Sequence, residues 1–216
     1  MIITQPDRVL LARQIKEYGP RLSGSLLDVG AGRVRRYASY LPHIQSYQTL
    51  DANPNSGADI VGSAEAIPLE SESKDSILCT QVLEHVPHPQ KAVAEMFRIL
   101  RSGGYCLLTA PQMNELHEEP HDYFRYTCHG FRQILEDAGF KVIQIDQRGR
   151  YPATIMQLRI RHMINTWKPY ENRMTMLILA PLTYLLTRFA LWRDSSSRNP
   201  ADTLDTIGWC VLAQKP

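Results

Sequence analysis

Short apolar runs alternate with helix-spaced segments along most of the chain, and this alternation restricts the fold more than any other feature. Strand-like runs lie at Ser25–Val29, Tyr47–Leu50, Asp59–Val61, Ser76–Cys79, Tyr105–Thr109 and Lys141–Ile145. Helical spacing marks Pro6–Tyr18 (Val9, Ala12 and Ile15 along one side), Arg33–Tyr40, Pro89–Leu100 and Phe131–Ala138. Gly103-Gly104 is expected to stop the third helix and Gly139 to cap the fourth. Such alternation predicts an α/β fold with a doubly wound, mostly parallel sheet. The pattern lapses after Arg150 and resumes at a last strand-like run, Gly208–Ala213. One domain over residues 1–150 and 201–216, with a helical insertion at 151–200, is therefore expected.

The chain has 216 residues, 44% hydrophobic and 21% charged, enough for one sizeable core and too apolar for wholesale disorder. Its net charge of +2 hides an asymmetry: from Arg148 to Arg198 there are nine Lys/Arg against Glu171 and Asp194. A basic segment on an acidic body points to an anionic partner or a phospholipid surface. The four cysteines (Cys79, Cys106, Cys128, Cys210) form no CxxC pair, sit mostly in apolar runs and read as reduced, buried thiols of a cytoplasmic protein. Asp7 and Arg8 precede any apolar run, so no signal peptide is expected.

Within the insertion, Met174–Trp192 is apolar and about long enough to span a bilayer. Pro181 interrupts it, Arg188 sits inside it, and a single span would leave Gly208–Ala213 on the wrong side of the membrane. A segment lying in the interface and a buried helix or helical hairpin remain as alternatives, as do a dimer interface and a lid.

The stretch LLDVGAGRVRRY (Leu26–Tyr37) reads as a buried strand breaking at Gly30-Ala31-Gly32 into a basic helix. Glycines there let a ligand approach the main chain. A dinucleotide fingerprint needs a third glycine where Arg35 stands, and the G-x-G-x-G variant needs one where Val34 stands, so the pair alone does not choose the ligand. Asp51 ends the second strand, 21 residues after Gly30, where a carboxylate can accept hydrogen bonds from ribose hydroxyls. A turn-closing Asp in Asp51-Ala52-Asn53-Pro54 is the structural alternative.

LLDVGAGRVRRY, TLDANP, DIVGSAEAIPLESESKDSILCTQVLEHVPHP and KAVAEMFRILRSGGYCLLTAP, in that order, resemble the class I S-adenosylmethionine-dependent methyltransferases. The likeness covers roughly residues 23 to 147 and the terminal strand, and is nearest to a bacterial branch that includes ubiquinone-biosynthesis-type enzymes. It implies a Rossmann-like, seven-stranded sheet whose last strand is antiparallel. It also implies S-adenosylmethionine as cofactor, with Asp28, Gly30, Ala31 and Gly32 around its methionine part and Asp51 and Ala52 at the ribose. Ser63, Ala64 and Glu65 would flank the adenine, with Ile67 and Leu69 nearby, and Thr80 and Gln81 would lie beside the methionine. Many relatives carry an acid where Ser63 stands. This cofactor has no pyrophosphate and needs a third glycine less than a dinucleotide does.

Methyl transfer is an in-line displacement that needs a close, aligned acceptor and sometimes a base. One histidine site is Glu84-His85, just after the fourth strand; His85 is a candidate base, and helix capping is its bland alternative. The other is NELHEEPHDYFRYT (Asn114–Thr127), which resembles a loop of envelope-associated relatives. In it His117 or His121 is the candidate base, Asp122 its orienter, and Tyr123, Arg125 and Tyr126 candidate acceptor contacts. Arg125 pairing with Asp122 or Glu119 as structure is the alternative for that residue. Pro120 argues against a metal held by His117 and His121 on one helix, so no metal is expected. Arg148, Arg150, Arg159 and Arg161 are candidates for lipid headgroups or the phosphates of a lipid-linked sugar, and the apolar run beside them argues against nucleic acid.

The leading expectation is a cytoplasmic or peripheral-membrane methyltransferase acting on a small-molecule, lipid or lipid-linked glycan acceptor. A catalytically inactive methyltransferase-like scaffold in an envelope or biosynthetic complex is the alternative. An oxidoreductase is disfavoured by the absent glycine and by the lack of any tyrosine followed four residues later by lysine.

Overall fold

The computed structural model describes residues 3–216 and contains one seven-stranded sheet in the order β3-β2-β1-β4-β5-β7-β6. Its strands are β1 (Ser23–Val29), β2 (His43–Asp51), β3 (Ile60–Val61), β4 (Lys74–Thr80), β5 (Leu100–Pro111), β6 (Lys141–Gln147) and β7 (Gly208–Gln214). The strands from β3 to β5 pair in parallel; β7 lies antiparallel between β5 and β6. This is the expected doubly wound architecture, including the reversed last strand. The inner strands β1, β4, β5 and β7 carry continuous buried runs because both faces are covered, whereas β2 and β6 are more polar and more exposed. Along β1, β4 and β5, Leu27, Ile77 and Leu108 enter the core beneath α2 (Pro89–Ile99) and α3 (Cys128–Asp137). Their neighbours Leu26, Leu78 and Leu107 enter the opposite core beneath α1 (Pro6–Tyr18).

Several helix boundaries follow local chemistry. Thr127 caps α3 by accepting from the Gly130 N–H, and Gly139, at φ +99°, ends it. The span of α1 is as expected, but its buried stripe is Leu11, Gln14 and Ile15; Val9 and Ala12 lie at its margins.

Three expectations are corrected. No α-helix occupies Arg33–Tyr40; residues 33–37 are turn and coil, and a short 3₁₀ turn covers Ala38–Tyr40. The arginines at 33, 35 and 36 and Val34 are exposed, so no apolar stripe exists to hold a helix against the sheet. Gly103-Gly104 does not stop α2. That helix ends at Ile99 because Leu100 turns extended and inserts into the core, and the glycines lie inside β5 beside its register shift. Cys128 is half-buried at the start of α3, whereas Cys79, Cys106 and Cys210 are buried; all four are free.

The insertion folds as a hairpin of α4 (Tyr151–Trp167) and α5 (Arg173–Ser196) with its own small core, in which Met156, Ile160 and Ile164 meet Ile3, Leu179, Ala180 and Ala190. Asn172 caps α5, and Asp194 caps α4 by accepting from the Arg150 and Ala153 N–H groups. Pro181 does not interrupt α5. It lies on the exposed side, as does Leu177, whose carbonyl loses its helical partner there and can turn to solvent.

Arg148, expected at a lipid surface, is instead fully buried. Its guanidinium donates to Asp7 Oδ1 (2.9 Å), Gln14 Oε1 (3.1 Å) and the Trp209 carbonyl (3.3 Å), tying α1 to the sheet. Arg150 donates to the Ser197 carbonyl and Arg161 is bound to Glu115, which leaves Arg159 as the exposed member of that set. Truncating a buried, fully partnered charge strands its partners, so Arg148→Ala is expected to lower the unfolding free energy by about 3–5 kcal/mol. Arg159→Ala is expected to change it by less than about 0.5 kcal/mol; chemical denaturation of the two variants checks both.

Candidate active site

The carboxyl edge of the sheet gathers the sequence-predicted residues at the ends of β1, β2, β4 and β5. After β1 the chain turns at Gly30 and Gly32, with φ +74° and +57°. Gly30 donates to the Leu50 carbonyl at 2.7 Å, and a Cβ on Gly30 would stand 2.4 Å from Val82 Cγ2, so no side chain fits. The acid at the end of β2 meets this turn directly. Asp51 Oδ2 accepts from the Gly32 N–H and Oδ1 from the Asn53 N–H, both at 2.9 Å. Asp51 thus closes the turn, the structural alternative for this residue, and each oxygen keeps a lone pair for a further donor.

A cavity of about 650 Å³ opens at this edge, lined by Asp28, Gly30, Ala31, Thr80 and Gln81 and roofed by Arg8 and Leu11 of α1. Gln81 holds φ +55°, and its N–H and side-chain amide bond to the carbonyl and Oγ1 of Thr109. Asp28 is the electrostatic centre. It is 2% exposed, its Oδ2 accepts from the Tyr47 hydroxyl at 2.5 Å, and Oδ1 is buried without a partner. Burial pushes its carboxyl up to about 7, with the Tyr47 hydrogen bond offsetting part of the rise. An orphaned, buried carboxylate oxygen on a cavity wall suits a cationic group. The larger cavity, about 850 Å³, lies at the opposite edge among Ser23, His43 and Gly103, away from these groups.

Ser63, Ala64 and Glu65 follow β3 and do not line the 650 Å³ cavity. Ser63 Oγ accepts from the Glu65 N–H, and Glu65 Oε1 accepts from the His88 N–H. Asp51 and Ala52 lie outside the lining as well, although Asp51 touches the glycine turn.

The loop after β5 folds onto the short 3₁₀ turn Leu83–His85: the Tyr123 and Phe124 N–H groups both donate to the Glu84 carbonyl. His85 Nδ1 lies 2.7 Å from the His121 carbonyl, which places the proton on Nδ1 and leaves Nε2 free. His117 packs edge-on against His85, with ring centroids 4.7 Å apart. His117 Nδ1 lies 3.1 Å from the Glu115 carbonyl, and Asp122 Oδ2 accepts from the His117 backbone N–H at 3.0 Å and lies 3.3 Å from Nδ1. Arg125 grips both Asp122 oxygens at 2.6 and 2.7 Å and holds that carboxyl well below the usual range.

Other loop assignments change. Arg125 also donates to the carbonyls of Asn114, Glu115 and Phe124, so it is a structural clamp rather than an acceptor contact. Tyr126 is buried against Phe131 and donates to the Leu83 carbonyl, which removes it from the acceptor side too. Tyr123 and His121 are exposed and bonded to each other, Tyr123 Oη to His121 Nδ1 at 3.0 Å. His117 and His121 therefore point to different partners and do not chelate together.

Sequence reasoning passed over Glu84, Tyr47 and the α1 roof. Glu84 is fully buried, both its oxygens lack hydrogen-bond partners, and burial pushes its carboxyl up to about 8. One ligand atom each from Glu84, His85 and His117 lies within 4.8 Å of the others, a set able to hold a cation. An acid beside a histidine was visible in the sequence; the convergence of His117 from a loop 32 residues on was not.

The methyltransferase domain family matches residues 27–108, the span from the glycine-bearing strand to the middle of β5. An uncharacterized methyltransferase of Mycobacterium ulcerans (strain Agy99) is 32% identical over 97 residues, 39% of this chain and 38% of that protein. A phthiotriol/phenolphthiotriol dimycocerosates methyltransferase of the same organism is 39% identical over 104 residues, 41% of this chain and 38% of the relative. The match thus spans about 38% of these relatives' length. Among solved structures, the [4+2]-cyclase SpnF superposes with a TM-score of 0.65 at 16% identity, covering 97% of this chain and 81% of that one, a likeness of fold. Motif order, sheet order and family match agree on the matched part of the chain: residues 27–108 form a methyltransferase domain of type 11, of the class I S-adenosylmethionine-dependent kind.

Proposed function

We propose that this chain transfers a methyl group from S-adenosylmethionine to a small-molecule, lipid or lipid-linked acceptor. The observation that carries the reading is the joining of two features at one strand edge: Asp51 bonded to the Gly32 amide, and the orphaned Asp28 oxygen on the adjoining cavity wall. Asp28 suits the cofactor's ammonium, Arg8 and Arg36 on the rim suit its carboxylate, and Asp51 suits the ribose diol. A dinucleotide is a poorer fit, because a pyrophosphate is bound at the N-terminus of a helix and no helix follows this turn. S-adenosylmethionine supplies an electrophilic methyl on a sulfonium. The chain's own work is to align the acceptor, exclude water and take up a proton. The Glu115 carbonyl takes up Nδ1 of His117 and Asp122, locked by Arg125, holds its backbone N–H, so that Nε2 is the basic nitrogen offered. The relative named for phthiotriol/phenolphthiotriol dimycocerosates supports a lipid-type acceptor here.

Isothermal calorimetry is the primary test. S-adenosylmethionine should bind saturably and NAD should not; NAD binding alone would sink the proposal. Asp51→Ala removes a charged hydrogen-bond acceptor and should weaken cofactor binding about 10- to 100-fold.

Asp28 adds a pH signature. Its folded value lies above that of the unfolded chain, so between about 4 and about 7 the free native state holds a proton that the unfolded state has lost, and stability falls as pH rises through that window. Asp28→Asn should flatten that slope. A bound ammonium favours the ionised form, so cofactor binding near pH 6, where the free amino group is already protonated, should release up to about one proton. Calorimetry in buffers of different ionisation enthalpy reads this directly.

His117→Ala should cut kcat by about 10²–10⁴-fold while leaving cofactor affinity unchanged. His121→Ala should do so far less; equal loss from both would remove His117 as the base.

A further inference from the structure

The outer face of α5 is apolar, exposed and ringed by arginines, and we infer that it docks the protein flat on an anionic phospholipid surface. Met174, Ile178, Leu182, Leu185, Phe189 and Trp192 recur at intervals of three and four residues, which lines them up along one side of the helix. Leu185 is 64% exposed, Phe189 56% and Trp192 60%, values foreign to a core helix. The inner face is spent on the protein: Leu179, Thr183, Thr187 and Ala190 are buried, and Thr187 Oγ1 donates to the Thr4 carbonyl.

Charge identifies the occupant. Arg173, Arg188, Arg193 and Arg198 are exposed on this hairpin, and among the described residues none of them forms an ion pair with an acid. Arg188 lies within the apolar face, one residue before Phe189, and Arg173 and Arg193 stand at opposite ends of the helix, so cations ring the face as in helices that lie among acidic headgroups. Aromatic residues with a polar edge, Tyr170, Tyr184 and Trp192, are exposed on the same hairpin, the residue types that settle at the headgroup level. A second copy of the chain would bring a like-charged ring against this one, which disfavours self-association.

The helix is long and apolar enough to cross a membrane, but it does not stand free to do so. Its inner face is held by α4, and β7, which follows it, is zipped between β5 and β6 in the central sheet. The hairpin also touches the site. Arg161 of α4 pairs with Glu115 of the loop that carries His117, and α1, the roof of the cofactor cavity, packs on both α4 and α5. Docking would therefore bring the acceptor loop close to a bilayer.

The test uses the full chain and needs no turnover, so it stands apart from the methyl-transfer reading. Vesicles of phosphatidylcholine with phosphatidylglycerol should co-sediment the protein, pure phosphatidylcholine much less, and high salt should weaken the binding. Leu185→Asp with Phe189→Asp should lower partitioning by about 100-fold or more with circular dichroism unchanged. Arg188→Glu, kept as a separate variant, should lower it at least about fivefold. Failure to pellet with anionic vesicles overturns the inference, as does undiminished pelleting of the double variant. A stable dimer by sedimentation velocity, dissociated by the double variant and blind to vesicles, would give the face to a second copy.

Discussion

The antiparallel insertion of β7 between β5 and β6 is the constraint on which the rest of the molecule depends. Its ladder joins Tyr105–Pro111 on one side to Lys141–Gln147 on the other, completing the sheet that both cores cover. Because β7 follows β6 in the chain but pairs between β5 and β6, the 60 residues between Gln147 and Gly208 must leave the sheet and return, and a two-helix hairpin is a short way to do so. The same strand receives the Arg148 guanidinium at the Trp209 carbonyl and the Arg148 amide at Gly208, so the buried cation, α1 and the sheet edge form one unit. Since α1 roofs the cavity, the shape of the site is set partly by the end of the chain.

Three buried carboxyls near the carboxyl edge illustrate how environment divides one chemistry into different roles. Asp122 faces a guanidinium and the His117 backbone N–H, and is held ionised as a fixed anchor. Asp28 has a single phenolic donor and one bare oxygen, so it sits near neutrality and can respond to a cation. Glu84 has no hydrogen-bond partner for its carboxyl, and burial pushes it up to about 8. Desolvation works against all three; what differs is the number of donors that answer it. In the His117 loop the same rule separates apparent from actual candidates: Arg125 and Tyr126 have spent their donors on backbone carbonyls, while His117 keeps a nitrogen free.

Much of this protein was determined locally and could be seen in its sequence. The strand cores, α1 and the stop at Gly139 depend on neighbours within a few residues. So does the pairing of a glycine turn with an acid 21 residues on, because one strand–loop–strand unit spans that distance. The missing helix after Gly32 is the failure that confirms the rule: a basic run looks helical by position, yet with no apolar stripe it has nothing to pack. Tertiary structure alone decided the rest. Tyr47 reaches Asp28 through the register of β1 on β2, and His117 reaches His85 because the β5 loop folds back onto the β4 turn. Arg148 is buried and Arg188 exposed, though both are arginines in the same basic tract, because burial of a charge depends on partners brought from 141 and 61 residues away. Spacing along the chain fixes which residues share an element; which charges find partners, and which faces stay bare, is settled when distant elements pack.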